Sequence, residues 1–343
     1  MIARFLPYAL QLLERKSLML TFVDVGSRNG VLELADLAPF VEAYGFEPNP
    51  GEYQKLVTGN TDASRIDGVR PPPYRKFAYF PFALSDSSGV KDFFVTPAAG
   101  ASGLLAPNVD RLREIVWKGA SHNRSNFGDE YYAGFRQIDV ETKTLDAFAA
   151  EHLISSVDYL KIDVEGSEYE VLKGASVLLP KTGVIKTEVA FIPFRKSQKL
   201  FSHVDLLLRE FGFDLLRYEI HLGHVGYKER MTPLRYVPLD FPDPHAQALS
   251  CDAIYVNRAI ENAQRALAQA LVLLEKDYVD EALHVLRVKS GVDEPEFLNL
   301  LRTYQGSSRG YWWRSVGYEW VDRAVDAGGR LARWLRVARF LKK

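Results

Sequence analysis

The segment that most constrains this chain is the run 158–175, DYLKIDVEGSEYEVLKGA, in which an apolar strand ends in acidic residues and turns directly into a helix. Open α/β sheets place their chemistry just beyond the carboxyl ends of their strands. Three carboxylates, Asp163, Glu165 and Glu168, crowd this single turn. A turn with only a structural task rarely needs so many, so this segment is the first candidate for an active site.

The bulk properties are those of an ordinary soluble globular protein. The 343 residues are 47% hydrophobic and 25% charged, enough to bury a sizeable core. The net charge of −1 gives no overall attraction to nucleic acid, so no nucleic-acid partner is expected. The single cysteine, Cys251, excludes an internal disulfide and a cysteine-based zinc cluster, and it fits a reducing, cytoplasmic location.

Strand and helix patterns alternate along residues 20–257, which predicts an α/β fold with a largely parallel sheet and helices on both faces. Short apolar runs predict strands at 21–25, 43–47, 77–84, 90–95, 136–141, 158–164, 184–191, 213–220 and 252–257. We expect 90–95 to form a hairpin back on the strand before it and the last two strands to pair antiparallel. Helical spacing predicts helices at 29–40, 51–57, 108–117, 145–152, 167–178 and 198–211. Polar stretches predict loops at 59–73 and 121–134, and the small residues at 98–103 predict a flexible segment.

Helical patterns flank this region on both sides. Residues 1–19 contain an apolar run too short to span a bilayer, and we expect them to form a helix packed on the domain that follows. Residues 258–343 form a predicted α-helical C-terminal extension, with two helices split near Asp277 and further helices at 294–304 and 311–341. Its last stretch, 330–343, is basic and amphipathic, which suits either peripheral contact with an anionic membrane or a solvated helix docked by its apolar stripe.

A glycine-containing turn follows the first strand in residues 22–30, FVDVGSRNG. The dinucleotide fingerprint Gly-x-Gly-x-x-Gly brings backbone close to a pyrophosphate, and Arg28 interrupts it. S-adenosylmethionine (SAM) has no phosphate, and its amino-acid end needs backbone hydrogen bonds and a carboxylate, which this loop and Asp24 can give. Glu47, at the end of the second strand, is placed to accept ribose hydroxyl protons, and Asp86, after the third, to reach the adenine amino group.

Five short motifs lie along residues 20–257: VDVG at 23–26, FEPNP at 46–50, ALSD at 83–86, TLD at 144–146 and LKIDVEGSEYEVLKG at 160–174. By these motifs the chain resembles the FkbM-type family of SAM-dependent methyltransferases. The resemblance implies a class I, Rossmann-like fold with a seven-stranded sheet, and O-methylation, often of sugars or of glycosylated or polyketide products. The usual family loop is closer to Gly-Ala-Asn-x-Gly, whereas residues 26–30 here are GSRNG.

The resemblance also implies a cofactor site. It places five residues at cofactor positions, namely Asp24, Gly26, Gly30, Glu47 and Asp86. The predicted cofactor site also takes in neighbours from the same motifs and the acid at the end of strand 158–164: Ser27, Asn29, Asn49, Ala83, Leu84, Ser85 and Asp163.

Methyl transfer from a sulfonium is an in-line displacement, and a sugar hydroxyl becomes a good nucleophile only when a base takes its proton. Asp163 is the first candidate for that base because it ends the strand that faces the donor. Glu165, and Glu188 in the neighbouring strand, are the alternatives, and the three carboxylates could instead hold Mg²⁺, which prefers oxygen ligands. His203, on the helix after Glu188, is a candidate for lining the acceptor pocket. Four residues of the long loop before strand 136–141 are candidates for stacking on a sugar ring or for anchoring that loop: Arg124, Phe127, Tyr131 and Tyr132. Lys161 is a charged residue inside a strand, and we expect it to pair with a carboxylate.

The predicted function is therefore SAM-dependent O-methylation of a hydroxyl on a sugar or glycosylated acceptor. One alternative is an NAD(P)-dependent dehydrogenase, against which the interrupted glycine fingerprint counts. The other is a non-catalytic scaffold of the same fold whose helical C-terminus recruits a partner or a membrane, against which the acidic strand ends count. The predicted domains are an N-terminal helix at 1–19, a methyltransferase domain at 20–257 and the helical extension at 258–343.

Overall fold

A computed structural model describes residues 6–118, 123–124, 127–219, 224–227 and 247–297 of the chain. Its strands, in chain order, are β1 Leu20–Val25, β2 Val41–Phe46, β3 Lys76–Phe80, β4 Ala83–Leu84, β5 Gly89–Val95, β6 Ile115–Lys118, β7 Asn123–Arg124, β8 Arg136–Lys143, β9 Val157–Ile162, β10 Thr182–Ala190, β11 Phe213–Glu219, β12 His224–Tyr227, β13 Gln247–Ala248 and β14 Ser250–Asn257. Its α-helices are α1 Leu6–Arg15, α2 Pro50–Thr58, α3 Asp62–Ile66, α4 Val109–Arg113, α5 Phe127–Tyr131, α6 Leu145–Glu151, α7 Glu168–Lys173, α8 Phe201–Glu210, α9 Ala263–Glu275 and α10 Val279–Val288.

Seven strands form the central sheet, in the order β3-β2-β1-β9-β10-β14-β11. The first five are parallel to one another, and β14 pairs antiparallel with both β10 and β11. The predicted α/β class, the seven-stranded class I methyltransferase sheet and the antiparallel closing pair are thus confirmed. The strand order reverses at β1, which has β2 on one side and β9 on the other, and ligands of open α/β sheets bind at such a switch point.

Helices cover both faces of the sheet, as predicted. Alternate residues of β1 belong to different hydrophobic clusters, because successive side chains of a strand point to opposite faces. Leu20 and Phe22 pack in the cluster that contains residues of α1 and α9. Val23 and Val25 pack in the cluster that contains residues of α6, α7 and α8. The predicted N-terminal helix therefore lies on the first face.

The helix predicted over residues 29–40 is wrong. This segment consists of turns and a single 3₁₀ turn at Ala38–Phe40. Gly30 and Leu34 have φ angles of 107° and 57°, which no right-handed helix allows. The apolar residues that suggested helical spacing, among them Val31 and Leu37, are buried against the cluster with α1 and α9. Their spacing therefore reflects burial from one side and not a helical period.

The third and fourth predicted strands differ from the prediction in their pairing. Pro81 separates β3, at the edge of the central sheet, from β4, which belongs to a three-stranded sheet in the order β4-β8-β5. The expected hairpin of 90–95 with the preceding strand is wrong, because β5 pairs antiparallel with β8. A proline lacks the N–H that a sheet ladder needs, so the chain leaves one sheet there and enters another.

Several segments are shorter or more structured than their sequence patterns suggested. The loop predicted for 59–73 contains α3, the helix predicted for 108–117 ends at Arg113 and continues as β6, and the helix predicted for 167–178 ends at Lys173. The loop predicted for 121–134 contains β7 and α5, with 121–122 and 125–126 outside the described residues. Each difference concerns a connection between strands of the central sheet, where local pattern is weakest.

The two helices expected after residue 257 are present as α9 and α10, and Asp277 lies between them with a φ angle of 64°. Nearly all of α9 is buried. Gln269 donates hydrogen bonds of 2.9 Å each to the carbonyl oxygens of Gly183 and Asn257, which anchors α9 to β10 and β14. The predicted division at 257/258 remains a prediction, and across it the two sides share one hydrophobic cluster.

The last predicted helices and the basic tail fall almost wholly outside the described residues. Of the helix predicted over 294–304, residues 294–297 are helical, and the tail at 330–343 lies outside the description. Within the described ranges, no helix combines the length and apolar character needed to cross a bilayer.

The shared cluster predicts that α9 and the sheet unfold together. Leu271 on α9 is 1% exposed, whereas Val288 on α10 is 61% exposed. Leu271→Ala should lower the free energy of unfolding by about 2–5 kcal/mol within a single transition, and Val288→Ala should change it by about 0.5 kcal/mol or less. Urea unfolding followed by circular dichroism measures both. A separate early transition in Leu271→Ala, with the main transition unmoved, would show an independent extension.

Candidate functional site

A cavity of about 360 Å³ opens at the switch point of the sheet, where the carboxyl ends of β1, β2 and β9 meet. This volume is within the range of small-molecule sites in proteins. Nine of the predicted cofactor residues line it: Asp24, Gly26, Ser27, Asn29, Gly30, Glu47, Ala83, Leu84 and Asp163. The predicted glycine turn and the predicted acidic turn therefore meet in one site.

Gly26 allows the glycine turn and the acidic turn to lie in direct contact. It has a φ angle of 92°, and a Cβ atom on it would lie 1.8 Å from the carbonyl oxygen of Asp163. A side chain of any kind would therefore push the two turns apart. The N–H of Asp163 donates to the carbonyl of Val25 at 2.9 Å, so the ladder between β1 and β9 continues into the site.

Glu47 is buried directly after β2 and faces the cavity. One of its carboxylate oxygens accepts a hydrogen bond of 2.8 Å from the N–H of Asn49. Burial raises the pKa of Glu47 to about 7. Asn49 does not line the cavity, and its side chain instead accepts from the N–H of Gly51 and caps α2.

Asp24 and Lys161 form an ion pair in the wall of the cavity. They are register partners on β1 and β9, and Lys161 Nζ lies 3.1 Å from Asp24 Oδ1 and 3.7 Å from Asp163 Oδ2. Burial raises the pKa of Asp24 to about 6, against the opposing charge of Lys161. Lys161 is a charged residue inside a strand, and its pairing with a carboxylate is the one expected from the sequence.

Glu33 also lines the cavity, and no sequence motif identified it as a site residue. Its carboxylate accepts a hydrogen bond of 2.6 Å from the Tyr159 hydroxyl and lies 2.5 Å from Lys276 Nζ and 3.6 Å from Lys186 Nζ. Burial alone would raise its pKa, but the charges of Lys276 and Lys186 outweigh burial and lower it to about 2. Since Lys276 directly follows α9, the helical extension contributes to this wall.

Asp163, Glu165 and Glu188 come together as predicted, with one oxygen atom of each within 4.8 Å of the others. Burial raises the pKa of Glu165 to about 7, and burial together with the Glu165 charge raises the pKa of Glu188 well above its usual range. Asp163 and Glu165 line the cavity, and Glu188 lies behind them on β10. Glu165 and Glu188 therefore hold protons more tightly than ordinary glutamates do.

Arg195 fixes Glu165. Its guanidinium is fully buried, donates to Glu165 Oε2 at 3.2 Å, and also donates to the carbonyl of Ala101 at 2.5 Å. It lies 5.0 Å from the ring centroid of Tyr132, which is buried. Tyr132 therefore anchors its loop, the second of the two roles considered for it. No sequence pattern indicates the contact between Arg195 and Glu165, because the two residues are 30 positions apart.

The third carboxylate of the acidic turn, Glu168, has a structural task. It is buried, and one of its oxygens accepts from the N–H groups of Val164 and Gly166 at 3.2 and 2.9 Å. These bonds close the turn that presents Asp163 and Glu165. Burial raises the pKa of Glu168 to about 7.

Three other predicted residues lie outside the lining of this cavity. Ser85 and Asp86 follow β4, where Lys91 pairs with Asp86 at the surface. His203 is exposed on α8, with its ring centroid 6.2 Å from that of Tyr169. The lining instead includes a small-residue segment that the sequence marked only as flexible, Ala99, Gly100, Ser102 and Gly103.

The seven-stranded sheet and its strand order, with the cavity, the glycine turn and the acidic strand ends at its switch point, are those of the class I methyltransferase fold. The family model of the methyltransferase FkbM domain matches residues 24–215, more than half of the chain. The chain belongs to the FkbM methyltransferase family, and the resemblance inferred from the motifs is confirmed.

Two curated relatives are similar to this chain. Methyltransferase sdnD of Sordaria araneosa is 25% identical over 208 residues, which are 57% of this chain and 74% of sdnD. The 2-O-methyltransferase NoeI of Sinorhizobium fredii (strain NBRC 101917 / NGR234) is 27% identical over 174 residues, which are 48% of this chain and 61% of NoeI. Among solved structures, magnesium protoporphyrin IX methyltransferase (ChlM) from Synechocystis PCC 6803 with bound SAM covers 75% of this chain and 77% of its own, at 11% identity and a TM-score of 0.32.

The raised pKa of Glu47 predicts that the free energy of unfolding of the ligand-free protein depends on pH. Burial raises its pKa from 4.5 to about 7, so between these values the folded state holds a proton that the unfolded state has released. This carboxyl therefore makes the folded state less stable as the pH rises from about 4.5 to about 7. Glu47→Gln should reduce that loss by roughly 2–3 kcal/mol, measured by urea unfolding at several pH values.

The control is Glu151→Gln, which removes a half-exposed carboxylate on α6 and should keep the wild-type pH profile. Identical profiles for wild type and Glu47→Gln would contradict the assignment of a raised pKa to Glu47.

Proposed function

We propose that this protein is a SAM-dependent O-methyltransferase that methylates a hydroxyl of a sugar or glycosylated acceptor. The observation that carries the proposal is the charge of the switch-point cavity. Among the described residues that line it, five carry carboxylates, Asp24, Glu33, Glu47, Asp163 and Glu165, and two carry cations, Arg28 and Lys161.

An acidic cavity suits SAM better than a dinucleotide. SAM carries an ammonium, a sulfonium and one carboxylate, so its net charge is positive, whereas a pyrophosphate is anionic and would be repelled. Glu47 is placed for ribose hydroxyls, and Ala83, Leu84 and Phe93 offer apolar contacts for an adenine ring. The sulfonium end would then face Asp163. This charge balance disfavours the NAD(P)-dependent alternative.

Asp163 is the proposed base. SAM supplies a methyl group on a positively charged sulfur. The Asp163 carboxylate takes the proton of the acceptor hydroxyl as the oxygen bonds to the methyl carbon, and the carbon–sulfur bond breaks with its electron pair left on sulfur. Asp163 is suited to this task because its side chain is 47% exposed at the cavity, whereas Glu165 is held by Arg195.

The acceptor class rests on two supports. A base is needed for an alcohol oxygen, and the carboxylate cluster offers one at the edge where the methyl group would be presented. The similarity to NoeI, whose name specifies 2-O-methylation, favours oxygen as the methylated atom. A glycan or other small glycosylated molecule is the proposed acceptor, and the intact carboxylate cluster favours this enzyme over the non-catalytic scaffold.

SAM binding and the Asp163 role can be tested together. Isothermal titration should show SAM binding to the wild type, and Asp163→Asn should leave that affinity nearly unchanged. The same variant should lower methyl transfer by roughly 10²- to 10⁴-fold, the usual contribution of a general base. Mass spectrometry of a glycan extract treated with isotope-labelled SAM measures the transfer.

The matched control is Asp139→Asn, at an exposed aspartate on β8, which should keep full transfer. No SAM binding at millimolar concentration would remove the proposal, and full transfer by Asp163→Asn would assign the base elsewhere.

A carboxylate base without Mg²⁺ is the better account of the cluster. Two of the three carboxylates already face cationic side chains, since Lys161 lies 3.7 Å from Asp163 and Arg195 lies 3.2 Å from Glu165. These charges compete with a divalent cation for the same oxygens. Methyl transfer should therefore be unchanged by EDTA. Loss of transfer with EDTA and its recovery with added Mg²⁺ would instead assign Asp163, Glu165 and Glu188 as metal ligands.

A further inference from the structure

Lys161 is a partly buried cation in the wall of a cavity that would bind a zwitterion. Its side chain is 18% exposed and that of Asp24 is 3% exposed, and both residues line the cavity. Removing an ion pair from water costs more than the pair regains unless further hydrogen bonds satisfy both groups. A pair placed here is therefore poorly explained by stability of the sheet alone.

The charge of Lys161 is firmly held. Burial by itself would lower its pKa, but the carboxylates of Asp24 and Asp163 outweigh burial and raise it above its ordinary value. A lysine ammonium has three N–H donors, and Asp24 accepts from one of them at 3.1 Å. Lys161 thus keeps a positive charge and the capacity for a further hydrogen bond.

Arg28, the other cation among the described lining residues, pairs with carboxylates that do not line the cavity. Both terminal nitrogens of Arg28 donate to Asp62 at 3.2 Å, and its Nε lies 3.8 Å from Glu52. These partners are on α3 and α2, so the guanidinium is held toward the helices that follow β2. Between the two cations, Lys161 is the one whose own partners, Asp24 and Asp163, face the cavity.

We propose that Lys161 binds the α-carboxylate of the methyl donor, beside Asp24, the carboxylate already expected at the donor's amino-acid end. This inference rests on the proposed function, because it assumes that the donor is SAM. Opposite charges 3.1 Å apart on neighbouring strands match the two opposite charges on the α-carbon of an amino acid. The pair therefore makes the cavity specific for donors that retain a free carboxylate.

The test compares SAM with decarboxylated SAM, which has the same adenosyl, sulfonium and ammonium groups but no carboxylate. Isothermal titration of the wild type should give SAM a roughly 10- to 100-fold lower Kd, the contribution expected for one charge-assisted hydrogen bond. Lys161→Met should bring the ratio of the two Kd values to about 1, and Lys161→Arg should largely restore it.

Two control variants separate this role from a general loss of charge. Asp24→Asn should weaken both ligands by a similar factor, because both keep the ammonium. Arg28→Gln should keep the wild-type ratio of the two Kd values. Using the ratio cancels any effect of a substitution on cavity shape or folding that both ligands share.

Three results would overturn the inference. They are equal affinity of the wild type for the two ligands, an unchanged ratio in Lys161→Met, and loss of the ratio in Arg28→Gln but not in Lys161→Met. In each of these cases SAM still binds, so the proposed function survives. Failure of the wild type to bind either ligand would overturn the proposed function and this inference together. The wild-type comparison remains decisive if Lys161→Met does not fold.

Discussion

The close approach of two turns, one after β1 and one after β9, is the constraint on which the site depends. With a Cβ at Gly26 placed 1.8 Å from the Asp163 carbonyl oxygen, only glycine lets these turns touch. That contact puts the residues suited to holding a donor beside the carboxylates suited to activating an acceptor. Glu168 secures the second turn from below by accepting two of its backbone N–H groups. Methyl transfer needs such fixed alignment, because the attacking oxygen, carbon and sulfur must lie in line.

The cavity concentrates negative groups that the protein itself only partly neutralises. Burial raises the pKa values of Asp24, Glu47 and Glu165, which means that the surroundings of these carboxylates oppose their ionisation. A cationic ligand relieves that resistance, so binding and ionisation favour each other. Glu33 differs, because lysines on β10 and after α9 keep it ionised from behind. Glu33 therefore keeps its negative charge in either case, whereas the charges of Asp24, Glu47 and Glu165 depend on what the cavity binds.

The parts of the fold that follow from local sequence were predictable. A strand ending in glycine or an acid has a short-range pattern, and so the sequence could place Asp24, Gly26, Glu47 and Asp163 together at the cavity that they line. A helix was wrongly predicted over residues 29–40, because the apolar residues of this segment are spaced for packing against helices that include α9, which is distant in sequence. The contacts Lys276–Glu33 and Arg195–Glu165 join residues 243 and 30 positions apart, and no local pattern encodes such partners. Ser85 and Asp86 show that a motif match places the backbone near a site without turning each side chain into it.

The strand order affects how the central sheet forms while the chain is being synthesised. β14 lies between β10 and β11 in the sheet but follows both in the chain, and it hydrogen-bonds to each of them. A ribosome releases β10 and β11 first, so the nascent sheet ends at an open β10 edge until residue 257 has emerged. Exposed edges of this kind recruit other strands and promote aggregation. Translation speed across residues 220–257, and chaperones that shield the β10 edge meanwhile, should therefore govern the yield of folded protein.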